Sequence, residues 1–513
     1  MRPLSEPDTS DEEAVRLAQD LVDFTRSMTR RYNRARSSIR EIFVDAYSWA
    51  LAGGCVLMLA ASLVVALRNE IAGRSLGAVS LAAARWQVLP AEFLWMFLTY
   101  LALVGIALTA RRLGPVTVSR AEGAWWLPLP VDRRPMVVPS FRSRLVASGA
   151  AASVAYVPFS ILTAIDRTAW GHAGSAATFG IGAVLAVASA AILQRTPTSS
   201  KAHQVAVFAG FIPVAVLPFL APAVWPLVLV LVAAVALVAY VLPRVSDVGG
   251  VELLRGGAVS GHAAASFFFI DVNELRRALS AEPRPVLSMR GSRFYGRPTR
   301  CASTAMVRAD IVAFLRLQPA PTVPLLWLGI CVSVTVITPA LPVLLQLGVI
   351  LIAGCLTTSG TGTVARRTAV IIGIDSLLPV SPALVQCSRM LMPALHMAVW
   401  MAVLTAAFVA LGPTPPSLIL LGVIAGAGMG AGAVRAATRP APDWTRPPVD
   451  TPFGPVPRDQ MSSLLRGTDV TVLVMVPVLL ALFLGSVHLW LLLAQVVLTA
   501  GAVIAQTSTS TVR

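Results

Sequence analysis

Apolar residues along this chain gather into long blocks, separated by breaks rich in arginine or proline. The blocks lie near 46–67, 88–110, 145–165, 174–193, 205–220 and 224–243, and again near 322–337, 341–357, 391–411, 417–434, 469–485 and 488–505. An α-helix rises about 1.5 Å per residue, so roughly 20 apolar residues cover the hydrocarbon layer of a bilayer. The pattern predicts an all-α, polytopic transmembrane protein of about twelve helices. The block at 205–220 contains Pro213 and Pro218. It is expected to be broken or re-entrant, because a proline inside a helix removes a backbone donor and clashes with the preceding turn.

Composition agrees with a chain dissolved in lipid. It is 56% hydrophobic and 13% charged over 513 residues, with a mean hydropathy of +0.74, well beyond what soluble domains carry. The net charge of +16 is almost wholly arginine, Lys201 being the one lysine. Placement of the arginines decides what they mean. Arg16, Arg26, Arg30, Arg31, Arg34, Arg36 and Arg40 precede the first block, and Arg111, Arg112, Arg120, Arg133, Arg134, Arg142 and Arg144 follow the second. Loops on the opposite side hold only Arg68, Arg74, Arg85 and Arg167. By the positive-inside rule both termini are expected in the cytoplasm, and the basic surplus needs no nucleic acid to explain it. The opening residues lack an apolar run, so no cleavable signal peptide is expected.

Little in the chain looks catalytic. The cysteines Cys55, Cys301, Cys331, Cys355 and Cys387 form no CxxC pair and read as small hydrophobes, so neither a metal nor a cofactor is expected. Gly249, Gly250, Gly256 and Gly257 lack the spacing and the lysine of a Walker A loop, so no ATPase is expected within the chain.

An internal repeat is legible. After the second block the chain runs RRLGPVTVSRAEGAWWLPLPVDRRPMVVPSFRSRL, and after the eighth TGTVARRTAVIIGIDSLLPVSPALVQCSRML. Each passes from an arginine-marked span end to a Leu-Pro-Val corner and then to an arginine before the next block. Leu129, Pro130 and Val131 correspond to Leu378, Pro379 and Val380. Amphipathic segments at Ser37–Asp45 and Ser303–Leu315 precede the two sets of blocks. The expected organisation is a cytoplasmic amphipathic N-terminal segment (1–45), a six-span bundle (46–243), a cytoplasmic linker (244–321), a second six-span bundle (322–505) and a tail (506–513). Parallel repeats of this kind suit a transporter, since two similar halves can rock about a central pathway. Trp125 and Trp126 are placed to anchor the first corner at the interface, with Asp132 and Arg133 toward water.

At these residues the chain resembles the membrane permease subunits of type-2 (export-type) ABC transporters, in a fused two-repeat form. The resemblance rests on the order of amphipathic helix, two spans, a cytoplasmic corner and four further spans, and it covers both halves. It implies a bacterial cytoplasmic (inner) membrane location and a separate ATP-binding subunit as partner. The loop after the second span would then be a coupling element. Position by position, Trp125, Trp126, Leu129, Pro130, Val131, Asp132 and Arg133 would belong to one such element, and Leu378, Pro379, Val380 and Ser381 to the other. The second copy lacks the acid and arginine of the first. Two other readings stay open: a membrane-embedded enzyme of glycosyltransferase type, and a non-transporting scaffold or immunity protein. The enzyme would draw on Glu92, Asp166, His172, His396 or His488, which are scattered singly and form no paired carboxylates or HExxH.

Overall fold

In the computed structural model the described residues are 9–36, isolated positions between 43 and 66, 91–129, 132–164, 167–195, 201–220, 224–268, 298–299, 301–317, 322–337, 343–369, 378–412, 414–438, 449–451, 454–456 and 466–508. They form two compact units, one mainly from residues up to 266 and the other mainly from 281 onward. Among the described residues, eight helices are long and apolar enough to cross a membrane, and Gln204–Leu220, Val323–Thr335 and Thr468–Leu484 are shorter apolar helical stretches. The expected first span, 46–67, lies largely outside the described residues, although those described within it are helical.

The first unit begins with α1 (Thr9–Arg36), followed by α2 (Ala91–Leu113), the short α3 (Arg120–Trp125), α4 (Arg134–Thr163) and α5 (Ala169–Arg195). α4 starts eleven residues before its apolar block, so Arg142 and Arg144 lie inside the helix rather than ahead of it. Pro135 in the first turn explains the early start, since its fixed φ suits that position and its missing donor costs nothing there. The block at 205–220 is broken as the prolines require. It becomes α6 (Lys201–Ala209), α7 (Phe211–Val216) and a 3-10 turn at Leu217–Leu220. α8 (Trp225–Val241), a second 3-10 turn at Leu242–Asp247 and α9 (Gly250–Phe268) complete the unit.

Arg167 holds the end of the broken span. Its guanidinium donates to the carbonyls of Pro218 at 3.1 Å and Phe219 at 2.8 Å and to the Ser175 hydroxyl at 2.6 Å. Ser175, fully buried on α5, donates in turn to the Pro218 carbonyl at 2.8 Å. Carbonyls that the 3-10 turn leaves open are thereby satisfied, as an apolar surrounding demands.

The second unit comprises α10 (Ala302–Leu317), α11 (Thr322–Ile337), α12 (Val343–Thr361), α13 (Thr363–Thr368), α14 (Pro382–Leu411), α15 (Ser417–Ala437), α16 (Thr468–Leu484) and α17 (Leu489–Ser508). It departs from the all-α expectation at one place, a two-stranded antiparallel ribbon of β1 (Val449–Thr451) and β2 (Gly454–Val456) that pairs Val449 with Val456.

Each unit is organised around one helix. α5 and α15 have 72% and 67% of their apolar windows buried, against at most 39% for any other candidate span. Both are built from small residues. Lipid chains are as apolar as leucine, so burial alone does not drive spans together, and close van der Waals contact takes over. A methyl group on Gly180 of α5 would sit 2.6 Å from the Gly149 carbonyl of α4. Gly422, Gly426 and Gly430 repeat every fourth residue along α15 and face α14, where a methyl on Gly426 would sit 2.4 Å from the Met397 carbonyl. The other side of α15 receives α16 and α17, with the Thr499 hydroxyl donating to the Ile424 carbonyl at 3.1 Å. Buried methionines 390, 397, 401, 429 and 475 fill the remaining irregular space.

Gly426→Val should destabilise the second unit by roughly 1–3 kcal/mol, the usual cost of overpacking. Gly348→Ala, in α12 with nothing within 4 Å of an added methyl, should be neutral or stabilising by up to about 1 kcal/mol. Melting of the detergent-solubilised protein reads both, and equal effects would mean that the close approach of α14 and α15 does not hold the unit together.

Candidate functional site

The segment after α2 is a folded element with several supports. Gly114, at φ 72°, turns the chain out of α2 in a conformation that a side chain would strain. Val116 and Val118 follow, both almost fully buried. Gln194, in the last turn of α5, clasps Val116 at two points: its Oε1 accepts from the Val116 amide at 3.1 Å, and its Nε2 donates to the Val116 carbonyl at 2.9 Å. Arg144 of α4 donates to the Gly114 carbonyl at 3.0 Å. On the far side lies α9, whose Leu253 carbonyl accepts from the Val118 amide at 3.5 Å. A methyl on Gly257 would fall 1.8 Å from the Val118 carbonyl. The glycine pair that fails as a phosphate loop therefore permits a helix to lie directly on the backbone of this segment.

From there the chain enters α3 through a capping box, in which the Ser119 hydroxyl accepts from the Glu122 amide at 3.2 Å and the Glu122 carboxylate accepts from the Ser119 amide at 2.7 Å. Buried Gly123 faces Leu254 of α9. Trp126 packs on the apolar cluster formed by Val116, Val118, Phe141, Val245 and Leu253. Trp125 points away from it, 75% exposed, and Leu129 is 43% exposed. The tryptophan pair thus divides between a half-buried anchor and an exposed surface. Pro130 and Val131 lie outside the described residues. Asp132 and Arg133 are half-buried, and Asp132 Oδ1 accepts from the Arg134 amide at 3.0 Å. Asp132 therefore also fixes the turn into α4, a role beyond facing water.

The second corner is simpler. Gly362 leads into α13 against the end of α15, where an added methyl would lie 2.6 Å from the Ala433 carbonyl. Arg366 donates to the Ser359 carbonyl at 2.9 Å. Leu378 and Pro379 are exposed and Val380 half-buried, with the Val380 amide donating to the Leu378 carbonyl at 2.8 Å. Ser381 is the N-cap of α14 and Pro382 occupies its first turn. Ser388 of α14 donates to Asp310 of α10, tying the corner to the amphipathic helix that leads this unit. The carboxylates and histidines considered for catalysis do not converge. Glu92 is exposed at the start of α2 and Asp166 lies outside the described residues. His172 pairs with Ser160 and His488 with Ser486, while His396 lies on α14.

Sequence reasoning named the corners but missed the residues that hold the first one: Gln194, Gly256 and Gly257, and Arg144 as a ligand of carbonyls. A lone amide at the end of a small-residue span was the available signal for Gln194, since an amide at such a place requires partners.

Spans of this length, packed through glycine and alanine around one central helix per unit, define a multi-pass α-helical membrane protein. The chain belongs to DUF6297, a family of unknown function, whose profile matches residues 87–447 and so includes both corners. No curated protein and no solved structure matches the chain.

Gln194→Leu should leave the buried amide and carbonyl of Val116 without partners, at roughly 1–3 kcal/mol for each. Hydrogen exchange at Val116 should accelerate and the melting temperature fall, with Gln194→Glu intermediate because it keeps the acceptor alone. Unchanged exchange in Gln194→Leu would show that the clasp carries no load.

Proposed function

We propose that this chain is the permease subunit of an ATP-driven exporter, energised by a separate ATP-binding subunit through its two corners, with both termini in the cytoplasm. The observation that carries the reading is the first corner itself. Trp125, at the end of a short helix, and Leu129, in the turn that follows it, are exposed on a segment whose rear is fixed to α4, α5 and α9. Exposed large side chains on a rigid mount suit a docking surface, because force applied to them reaches the spans instead of bending a loop.

The duplication supports the same reading. Each unit has a span, a six-residue helix, a thirty-residue helix, and then a small-residue central helix. In each, the loop after the first of these rests on the closing turns of the central helix, Gly114 beside Gln194 in one and Gly362 beside Ala433 in the other. On this reading the order reflects two copies of one six-span bundle, with the block at 46–67 as the expected first span of the first copy. The corners differ in strength. The second has neither an exposed tryptophan nor an acid and arginine pair, so the partner engages the two unequally.

Trp125→Ala, and separately Leu129→Ala, should leave expression and melting nearly unchanged, since both side chains are exposed and exposed changes usually cost within about 0.5 kcal/mol. Both should lower ATP-dependent export and weaken recovery of the ATPase partner. Asp132→Ala is the poorer test, because it also loosens the start of α4. Failure to recover any ATPase with the intact chain would sink the assignment.

Orientation can be read from a native thiol. Cys301 is exposed ahead of α10, and hydrogen bonds with the Ser303 and Thr304 hydroxyls bring its pKa down to about 7. An impermeant maleimide should label it in inverted vesicles and not in intact cells, with Cys301→Ser as control. The labelling rate should rise with pH as thiolate forms and level off above about 7. Labelling from outside intact cells would invert the proposed topology.

A further inference from the structure

Helix α1 has two faces with different fates. Val22 is 5% exposed and belongs to the same apolar cluster as Val116, Val118 and Leu253. Leu17, Leu21, Phe24, Met28 and Tyr32 recur at intervals of three and four residues and so share another face. Of these, Leu17, Phe24, Met28 and Tyr32 are 58%, 60%, 47% and 58% exposed.

Charge along the helix is polarised. Asp11, Glu12, Glu13, Asp20 and Asp23 occupy its first half, whereas Phe24 to Arg36 contains Arg26, Arg30, Arg31, Arg34 and Arg36 and no carboxylate. Arg31, three residues beyond Met28, and Arg36, four beyond Tyr32, border the stripe in this half, and an exposed apolar stripe edged by arginine is matched by a surface that is negative and overlies hydrocarbon. Such a surface is within reach. Nine residues, 37–45, join α1 to the apolar block at 46–67, and nine residues span at most about 30 Å.

We propose that the basic half of α1 lies on the bilayer and binds anionic lipid headgroups, with Phe24 and Met28 inserted among the acyl chains. The arginines contact phosphate while the stripe removes apolar surface from water. Because Val22 is packed with Val116 and Val118, seating of α1 on the lipid is felt at the segment that carries the first corner. The proposal is independent of the permease assignment, since it requires only a membrane of suitable charge.

The test uses the full chain with its native cysteines replaced by serine and a nitroxide placed at Met28→Cys. It is reconstituted in phosphatidylcholine alone and in a phosphatidylcholine–phosphatidylglycerol mixture. Collision with oxygen relative to a water-soluble nickel chelate should place the label about 5–10 Å below the headgroup boundary in the mixture and nearer to water in the neutral lipid. The same label at Thr29→Cys, an exposed position away from the stripe, should stay accessible to the chelate. Arg26→Gln, Arg30→Gln and Arg31→Gln together should abolish the difference between the two lipids. Equal chelate access at position 28 in both lipids would overturn the proposal, and so would a label shielded from oxygen and chelate alike, which would place the stripe against protein.

Discussion

Close backbone contact at α5 and α15 is the constraint on which the remaining structure depends. In lipid, a span gains little by exchanging hydrocarbon for leucine, so two helices stay together only where their surfaces meet without gaps. Glycine and alanine make that possible by bringing carbonyls and Cα atoms of neighbouring spans into direct contact, as at Gly426 against Met397 and Gly180 against Gly149. The long helices α4 and α14 are held by this contact. Their early starts at Arg134 and Pro382 then set where each corner ends.

The corners inherit their positions from the same two helices. Gln194 is the next to last residue of α5, and its double hydrogen bond fixes Val116. In the second unit Gly362 touches the α15 backbone directly. One design uses an amide as a clasp, the other bare contact. The first also recruits α9, so residues from widely separated parts of the chain meet on a five-residue segment. A change anywhere in that set reaches Trp125 without any substitution near it.

How much of this was readable in advance varied with the physics involved. Spans are a one-dimensional signal, and the apolar blocks placed most of them within a few residues of the observed helices. Pro213 and Pro218 marked the broken span because proline acts locally. The start of α4 was hidden, since RPMVVPSFRSR contains no sustained apolar run although it continues the helix. The seating of α9 was hidden for a different reason. Gly256 and Gly257 carry no periodicity, and what they accommodate lies about 140 residues earlier, so only tertiary contact reveals it. Of the proposed corner residues, Leu129 and Leu378 are exposed, and Asp132, expected toward water, also holds the backbone at the start of α4.

The Arg167 tie bears on how the first unit can move. Pro218 and Phe219 are bonded to a guanidinium that also grips Ser175 of α5, so the 3-10 turn travels with α5 as its passenger. At the other end of the broken span, Val207 and Phe208 of α6 pack on the apolar cluster that includes Phe179 of α5, and Gly210, whose amide donates to the Ala206 carbonyl at 3.1 Å, leads into α7. A guanidinium therefore grips one end of the span and apolar packing seats the other, so loss of charge at Arg167 and loss of volume at Phe208 would loosen it from opposite ends.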